Sequence, residues 1–189
     1  MRLTVRIAAG LVALAAVMTP GIASASVDVG PDKYGNMRNL NSNKCVDVRA
    51  QDDYYAAGAR IQQYHCTGAR EQQWAGHFVR NSPATRDDEY QFKVLRSGMC
   101  MQPPPGLSPY VDGNGVILVQ EPCDETNELQ LWYRYAAGTS WFDGWKNHRT
   151  GKCMDVRLSS TGDGAWIQQY TCNSTDSQVF YSKLETSNP

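Results

Sequence analysis

The chain has 189 residues, with 18 lysines and arginines against 19 aspartates and glutamates, and 41% of its residues are hydrophobic. This length is enough for one domain with a substantial core. The near-balance of charge argues against nucleic acid or an anionic membrane as the main partner.

The N-terminus has the features of a secretory signal peptide. Arg2 and Arg6 supply the positive start, an uncharged apolar run follows, and residues 23–25 form an A-x-A cleavage signal. The apolar run is too short to span a membrane comfortably, so we predict no membrane insertion. We expect residues 1–25 to be removed and residues 26–189 to be secreted as an extracellular domain. Cleavage takes away two arginines and no acid, so the formal charge goes from -1 to -3.

The rest of the chain is an internal repeat with a period of about fifty residues. KCVDVR at 44–49 returns as KCMDVR at 152–157, and GARIQQYHC at 58–66 returns as GAWIQQYTC at 164–172. A degraded third copy lies between them. The repeats are rich in turn residues and lack a long 3.6-residue apolar pattern, which predicts short strands joined by turns.

In the first repeat, two predicted strands place polar side chains on a common face. Side chains alternate along a strand, so in CVDVR the valines face one side and Asp47 faces the other. In IQQY, Ile61 shares a face with Gln63, and Gln62 shares the opposite face with Tyr64. If the apolar side faces the core, then Asp47, Gln62 and Tyr64 point outward together. Gln63 then falls on the inner face, where we expect it at the edge of the sheet.

The third repeat places the same set outward again, as Asp155, Gln168 and Tyr170, with Gln169 on the inner face. A carboxylate accepts hydrogen bonds from hydroxyls, an amide both donates and accepts, and a tyrosine ring packs on the apolar face of a sugar. Each residue taken singly could be a turn cap or a half-buried strand residue. Duplication of the whole set favours a binding site for a pyranose.

A glutamine stands six residues past the second cysteine in both good copies, as Gln72 and Gln178. An aromatic residue stands two positions after each of these glutamines and after the corresponding glutamine of the middle repeat. These residues are Trp74, Trp132 and Phe180, and we expect them in the core. The glutamines are predicted to hold turns by bonding the backbone, with sugar contact as an additional role.

All six cysteines lie after the predicted cleavage point, and an even number in a secreted chain favours disulfides over metal thiolates. Pairing inside each repeat treats the three copies alike. It predicts the bridges Cys45–Cys66, Cys100–Cys123 and Cys153–Cys172. The chain has no CxxC and its histidines are scattered, so we predict neither a metal nor a cofactor.

The middle repeat departs from the polar pattern. Gln102 stands where the aspartate should be, Val119 where the glutamine should be, and Glu121 where the aromatic ring should be. Three prolines follow Gln102 and stiffen the loop. We expect this copy to keep the fold without the site.

Acidic residues also cluster at 52–53, 87–89 and 124–128, in turn-like polar segments. A glycosidase needs two carboxylates about 5–10 Å apart across the scissile bond, and solvated runs of this kind seldom provide that. The GxSxG, HExxH and P-loop motifs are absent from the sequence. We therefore predict that the chain is not an enzyme, and a small secreted hydrolase is the least favoured reading.

The combination of CxDV, GxxIQxYxC and QxW, repeated behind a signal peptide, resembles the ricin B-type lectins. These are β-trefoil carbohydrate-binding modules that also occur attached to secreted glycosidases. The resemblance covers residues 34–183 and implies an all-β β-trefoil of three repeats with pseudo-threefold symmetry. It further implies twelve strands and lobes at about 34–80, 90–135 and 141–183, with one potential shallow sugar site in each lobe.

The resemblance assigns sugar binding in the first and third lobes to Asp47, Gln62, Tyr64, Asp155, Gln168 and Tyr170, beside Gln72 and Gln178. The family places an asparagine just before the QxW glutamine, whereas this chain has Glu71 and Ser177 there. Both sites therefore depart from the family pattern at this position, and galactose-type and xylan-type glycans are both compatible.

The sequence thus predicts a secreted lectin module that binds glycans or polysaccharides, alone or with a separately encoded enzyme or toxin subunit. The alternative is a secreted β-trefoil interaction protein whose sugar sites have decayed, such as a protease inhibitor or a toxin-targeting subunit. A glycan-binding assay separates these two hypotheses.

Overall fold

A computed structural model of the chain describes residues 33–83, 85–106, 110–136 and 143–183. The predicted signal peptide lies outside the described residues. In the described ranges the regular elements are thirteen strands and six 3₁₀ turns. The strands are β1 (Gly35–Asn39), β2 (Cys45–Val48), β3 (Ile61–Tyr64), β4 (Gln73–Asn81), β5 (Asp88–Val94), β6 (Cys100–Gln102), β7 (Val116–Ile117), β8 (Val119–Glu121), β9 (Trp132–Ala136), β10 (Asp143–Asn147), β11 (Cys153–Val156), β12 (Ile167–Tyr170) and β13 (Phe180–Lys183). The 3₁₀ turns are Ala50–Asp52, Arg70–Gln72, Tyr110–Asp112, Glu128–Gln130, Arg157–Ser159 and Asp176–Gln178.

Six strands, two from each repeat, close a barrel. β1 pairs with β4, β4 with β5, β5 with β9 and β9 with β10, all antiparallel. The ring closes because β13 pairs with β1, while Gly144 of β10 forms a bridge with Val179, the residue before β13. Each repeat therefore needs its neighbours to complete the barrel.

Six of the seven remaining strands form one hairpin in each repeat: β2 with β3, β6 with β8, and β11 with β12. Six barrel strands with three hairpins make the all-β β-trefoil that the resemblance implied. Each hairpin begins at a cysteine, and the disulfides are the predicted pairs Cys45–Cys66, Cys100–Cys123 and Cys153–Cys172.

The described residues contain one strand more than the twelve expected, because the third strand of the middle repeat is divided at Leu118. Before this residue, β7 pairs with β12 of the third repeat, and after it β8 pairs with β6 of its own repeat. The buried Leu118 takes its backbone partners from both other repeats. Its N–H donates to Ile167 O, and its carbonyl accepts from Ile61 N, at 2.9 Å each.

The apolar sides of the hairpins and the barrel aromatics form one core. Trp74, Trp132 and Phe180 are buried, as the sequence predicted. The indole of Trp74 donates to Val46 O at 2.9 Å, and the indole of Trp132 donates to Met101 O at 3.2 Å. The tryptophans therefore join the barrel to the hairpins as well as filling it.

Gln63 lies on β3, whose only partner among the described strands is β2, as expected for a sheet edge. Gln169 lies on β12, which pairs with both β11 and β7, so the expectation was wrong for Gln169. Gln63, Gln169 and the middle-repeat counterpart Gln120 are fully buried. The Nε2 of Gln63 donates to the carbonyl oxygens of Ser160 at 2.8 Å and Gly162 at 2.9 Å, both in the third repeat. An inward amide is tolerated here because it satisfies a loop whose carbonyls have no strand partner.

The other two glutamines repeat this arrangement around the pseudo-threefold axis. Gln120 of the second repeat donates to Tyr54 O and Ala56 O of the first, and Gln169 of the third donates to Gly113 O of the second. The acceptor side of each amide takes a hydroxyl from its own repeat, namely Ser42, Ser97 or Thr150. The glutamine of each repeat thus forms hydrogen bonds with a loop of another repeat. The first repeat binds the third, the second binds the first, and the third binds the second, which closes a cycle.

Replacing Gln120 with Leu should lower the free energy of unfolding by about 2–4 kcal/mol, because two carbonyls and the Ser97 hydroxyl would lose a buried partner. Gln51→Leu is the matched control, since Gln51 is exposed, and it should change stability little. Urea denaturation of both variants measures the difference. Equal midpoints for the two variants would contradict the structural role of Gln120.

Candidate functional site

The polar set predicted in the first repeat comes together across β2 and β3. Asp47 and Gln62 are direct cross-strand partners, and Gln62 Nε2 donates to Asp47 Oδ1 at 2.8 Å. Gln72, at the end of a 3₁₀ turn, donates from Nε2 to Asp47 Oδ2 at 3.0 Å. Tyr64 ends β3 two residues after Gln62 and keeps 37% of its surface exposed.

The third repeat builds the same arrangement across β11 and β12. Gln168 Nε2 donates to its cross-strand partner Asp155 Oδ1 at 2.7 Å. The side chains of Ser177 and Gln178 also lie close enough to Asp155 to lower its pKa, which partly opposes the effect of burial. Tyr170 ends β12 and is 39% exposed. All eight residues predicted for the two sites are therefore gathered into two local clusters.

The carboxylates are more deeply covered than the sequence indicated. Asp47 is 6% exposed and Asp155 is 5% exposed, and Gln62 and Gln168 are also buried. Strand alternation gave the correct face, but this face is largely covered. A ligand at either site would meet the tyrosine ring and a small exposed part of the carboxylate–amide pair.

The glutamines of the QxW position hold turns, as predicted. Gln72 is buried, and its Nε2 donates to His65 O at 3.0 Å while its Oε1 accepts from Thr67 N at 2.8 Å. Gln178 makes the equivalent bonds in the third repeat. Because these amides are buried and engaged, they orient the carboxylate from beneath.

The register of the middle repeat places the substituted residues at the predicted positions. Gln102 pairs with Val119, and Glu121 follows where the other repeats have a tyrosine. Gln102 Oε1 accepts from Gln130 Nε2 at 2.8 Å and from Asn127 Nδ2 at 3.0 Å. The bond from the QxW glutamine therefore survives with an amide in place of the carboxylate.

Burial shifts the ionisation of both site aspartates. It raises the pKa of Asp47 above the ordinary value of 3.8, and the hydrogen bonds from Gln62 and Gln72 only partly oppose it. Burial raises the pKa of Asp155 in the same way. Asp52 shows the opposite behaviour, because hydrogen bonds from Arg60 lower its pKa to about 2.

The two sites differ where the family asparagine would stand. The hydroxyl of Ser177 acts to lower the pKa of Asp155, whereas the Glu71 carboxylate lies 4.0 Å from an Arg96 nitrogen of the middle repeat. The charge of Glu71 adds to the effect of burial in raising the pKa of Asp47. The first site therefore has a second acid nearby, and the third has a hydroxyl.

Sequence reasoning missed two residues beside the first site. The His65 ring lies 4.5 Å from the Tyr64 ring between centroids, and His65 Nδ1 is 3.0 Å from Asp163 Oδ2 of the third repeat. The one available signal was that the repeats differ here, with Thr171 in place of His65. The partner Asp163 could not be inferred, because it is 98 residues away.

The described ranges contain no cluster of three or more His, Cys, Asp and Glu side chains suited to a metal ion. A helix of the length and apolarity needed to cross a membrane is likewise not found in the part of the chain that the structure describes.

The sequence profile of the ricin-type β-trefoil lectin domain matches residues 33–180, most of the chain. The chain belongs to this family. No curated protein sequence matches it.

Solved structures share the ricin-type fold over most of this domain. They include the designed threefold-symmetric protein ThreeFoil (TM-score 0.67, 23% identity, 80% of this chain and 98% of that one). They also include the exo-β-1,3-galactanase 1,3Gal43A from Clostridium thermocellum (TM-score 0.66, 24% identity, 80% of this chain but 30% of that one). A third is the C-half of the earthworm R-type lectin in complex with GalNAc (TM-score 0.54, 14% identity, 80% of this chain and 98% of that one). At these identities the likeness shows the fold.

Carboxyl-carbon NMR titration should separate the three aspartates. Asp47 and Asp155 should titrate above 3.8 because burial raises the pKa of each, and Asp52 should titrate near 2 because Arg60 lowers its pKa. Arg60→Ala should bring Asp52 towards 3.8 while leaving Asp155 unchanged. Titration of Asp47 and Asp155 below 3.8 would contradict the burial of these sites.

Proposed function

We propose that this ricin-type domain is a secreted lectin that binds glycans or polysaccharides through two sites, one in the first lobe and one in the third. The observation that carries the proposal is the Asp–Gln–Tyr cluster, which two hairpins build alike and the middle hairpin lacks. The GalNAc complex of the earthworm R-type lectin, which has the same fold, supports a sugar as the ligand.

Each side chain has a distinct part in the proposed recognition of a pyranose. The exposed Tyr64 ring packs on the apolar CH face of the sugar. The Asp47 carboxylate accepts hydrogen bonds from one or two ring hydroxyls, which is the stronger, charge-assisted kind. Gln62 orients the carboxylate with one N–H and can donate its second N–H to a sugar oxygen. Asp155, Gln168 and Tyr170 act in the same way in the third lobe.

Two shallow sites suit a polymeric or multivalent ligand. A single site of this kind is expected to bind with a Kd near the millimolar range, about -4 kcal/mol. Two sites on one rigid scaffold can engage the same polymer and gain affinity without any new contact. The fold shared with 1,3Gal43A, an exo-β-1,3-galactanase, makes galactan a polymer to screen beside xylan.

Secretion is part of the proposal and has two supports. The signal-like segment at 1–25 would direct export. The three disulfides suit an oxidising compartment outside the cytoplasm. Mass spectrometry of the exported protein would test this, and a mature N-terminus at Ser26 is expected.

Asp47→Ala and Asp155→Ala should each weaken binding to immobilised glycan, and the double variant should lose nearly all binding because both carboxylates are gone. Glu121→Ala is the matched control, since it alters the equivalent surface of the middle lobe and should bind normally. Surface plasmon resonance on glycan-coated chips, with melting temperatures recorded alongside, provides the measurement.

Two results would overturn the site assignment. A double variant that binds like wild type would exclude these carboxylates. Loss of binding in Glu121→Ala at an unchanged melting temperature would place a divergent site in the middle lobe. Failure of the wild type to bind any glycan on a broad array would favour the protein-interaction alternative.

Glycan binding should weaken in acid earlier than an ordinary aspartate would predict. Only the ionised carboxylate accepts hydroxyl bonds at both oxygens, and the pKa of Asp47 and of Asp155 is raised above 3.8. Binding is therefore complete above the raised pKa and is lost as the pH falls through it. Binding measured against pH, with circular dichroism as the folding control, should show a midpoint above 3.8. Full binding by folded protein below pH 3.8 would contradict the role of the carboxylates.

A further inference from the structure

The two proposed sites differ most at the residue that follows the exposed tyrosine. In the first lobe this residue is His65, whose ring lies 4.5 Å from the Tyr64 ring with 36° between the planes. In the third lobe it is Thr171, and in the described structure Tyr170 has no aromatic neighbour of this kind. One tyrosine is therefore packed against a second ring and the other is not.

His65 is held in place from a different repeat. Its Nδ1 lies 3.0 Å from Asp163 Oδ2, and Lys44 Nζ lies 2.7 Å from Asp163 Oδ1. The loop that carries Asp163 is itself anchored on the first repeat, since Gly164 N donates to Gln63 O at 2.9 Å and the Gln63 side chain binds the same loop. The acid that orients His65 is thus fixed by the anchoring of its loop and by Lys44.

The equivalent junction of the third lobe keeps the cross-repeat link but lacks the ring. Asn114 of the middle repeat accepts from Thr171 N at 2.8 Å and from Thr171 Oγ1 at 3.1 Å. Lys152 Nζ lies 3.3 Å from the same hydroxyl, in the place that Lys44 takes in the first lobe. The His65–Asp163 pair is therefore the first-lobe form of a link that the fold makes in both lobes, and the ring is what it adds.

The contact between His65 and Asp163 adds little to the folding stability of the domain, because both side chains are exposed. The side chains of His65 and Asp163 are 58% and 36% exposed, and polar contacts between such exposed side chains contribute little to folding. The contact with the Tyr64 ring is the more specific feature, because it places a second ring against a side chain that is 37% exposed.

We propose that His65 is a positioning residue that fixes the Tyr64 ring, that Asp163 of the third repeat is part of the first-lobe site, and that this site therefore binds sugar more tightly than the third-lobe site. The difference in affinity rests on the proposed lectin function. A ring that is ordered before binding loses less conformational freedom when a sugar packs on it. The expected advantage of the first lobe is about threefold to tenfold in Kd.

The junction of the third lobe supplies the residues for a matched variant of the first lobe. His65→Thr combined with Asp163→Asn gives the first lobe the junction that Thr171 and Asn114 form in the third, so the fold should tolerate it. In an Asp155→Ala background, this change should raise the Kd for GalNAc and for β-1,3-galactan oligosaccharides by about threefold to tenfold. In an Asp47→Ala background, the same change should leave the remaining third-lobe binding unaltered.

Single substitutions at His65 separate the effect of its ring from the effect of its hydrogen bond to Asp163. His65→Phe keeps a ring against Tyr64 without the bond to Asp163 and should retain most of the first-lobe affinity. His65→Asn can keep a donor for Asp163 without the ring. It should raise the Kd of the first lobe as much as the His65→Thr/Asp163→Asn variant does. An Asn variant that binds as well as wild type would overturn the positioning role.

A ligand-free measurement distinguishes this inference from the proposed function. Aromatic-carbon NMR relaxation should give the Tyr64 ring a higher order parameter than the Tyr170 ring, and the His65→Thr/Asp163→Asn variant should equalise them. Equal order parameters in the wild type would overturn the inference whether or not sugars bind. A restrained Tyr64 ring in a protein that binds neither sugar would instead remove the sugar assignment and leave the positioning of Tyr64 intact.

Discussion

The closed cycle of buried glutamines is the interaction on which the rest of this β-trefoil depends. Each hairpin ends against an irregular loop of another repeat, and the carbonyls of such a loop need donors that no strand supplies. A glutamine amide supplies them without bringing charge into the core, as Gln63 does for Ser160 and Gly162. Because the loops also border the clusters on β3 and β12, the same bonds that join the repeats set the edges of the proposed sites.

A second set of glutamines explains how aspartates can be buried on the outer face of the hairpins. Gln62 and Gln72 each donate to one oxygen of Asp47, so the carboxylate is satisfied although it is covered. The compensation is incomplete, since burial still raises the pKa of Asp47. A group that is held at a net electrostatic disadvantage is often one that acts on a ligand.

The middle repeat shows the arrangement without that disadvantage. Gln102 accepts from Gln130 much as Asp47 accepts from Gln72, and Val119 takes the place of the second amide. A neutral amide is easier to bury than a carboxylate, so the hairpin keeps its turn and its disulfide without an acid. The acid is therefore dispensable for the fold, which is consistent with its proposed role in binding.

The sequence by itself determined the features that recur with the repeat or follow from strand alternation. Cysteine spacing gave the disulfides, duplication gave three β lobes, and period-two alternation put Asp47, Gln62 and Tyr64 on one face. Alternation tells which side a residue faces but not what covers that side. Only the tertiary structure decided that Asp47 is buried, that Gln63 binds a loop 97 residues away, and that Asp163 reaches His65. Each of these depends on contact between different repeats, and neither the period nor the pattern within one repeat encodes which loop meets which hairpin.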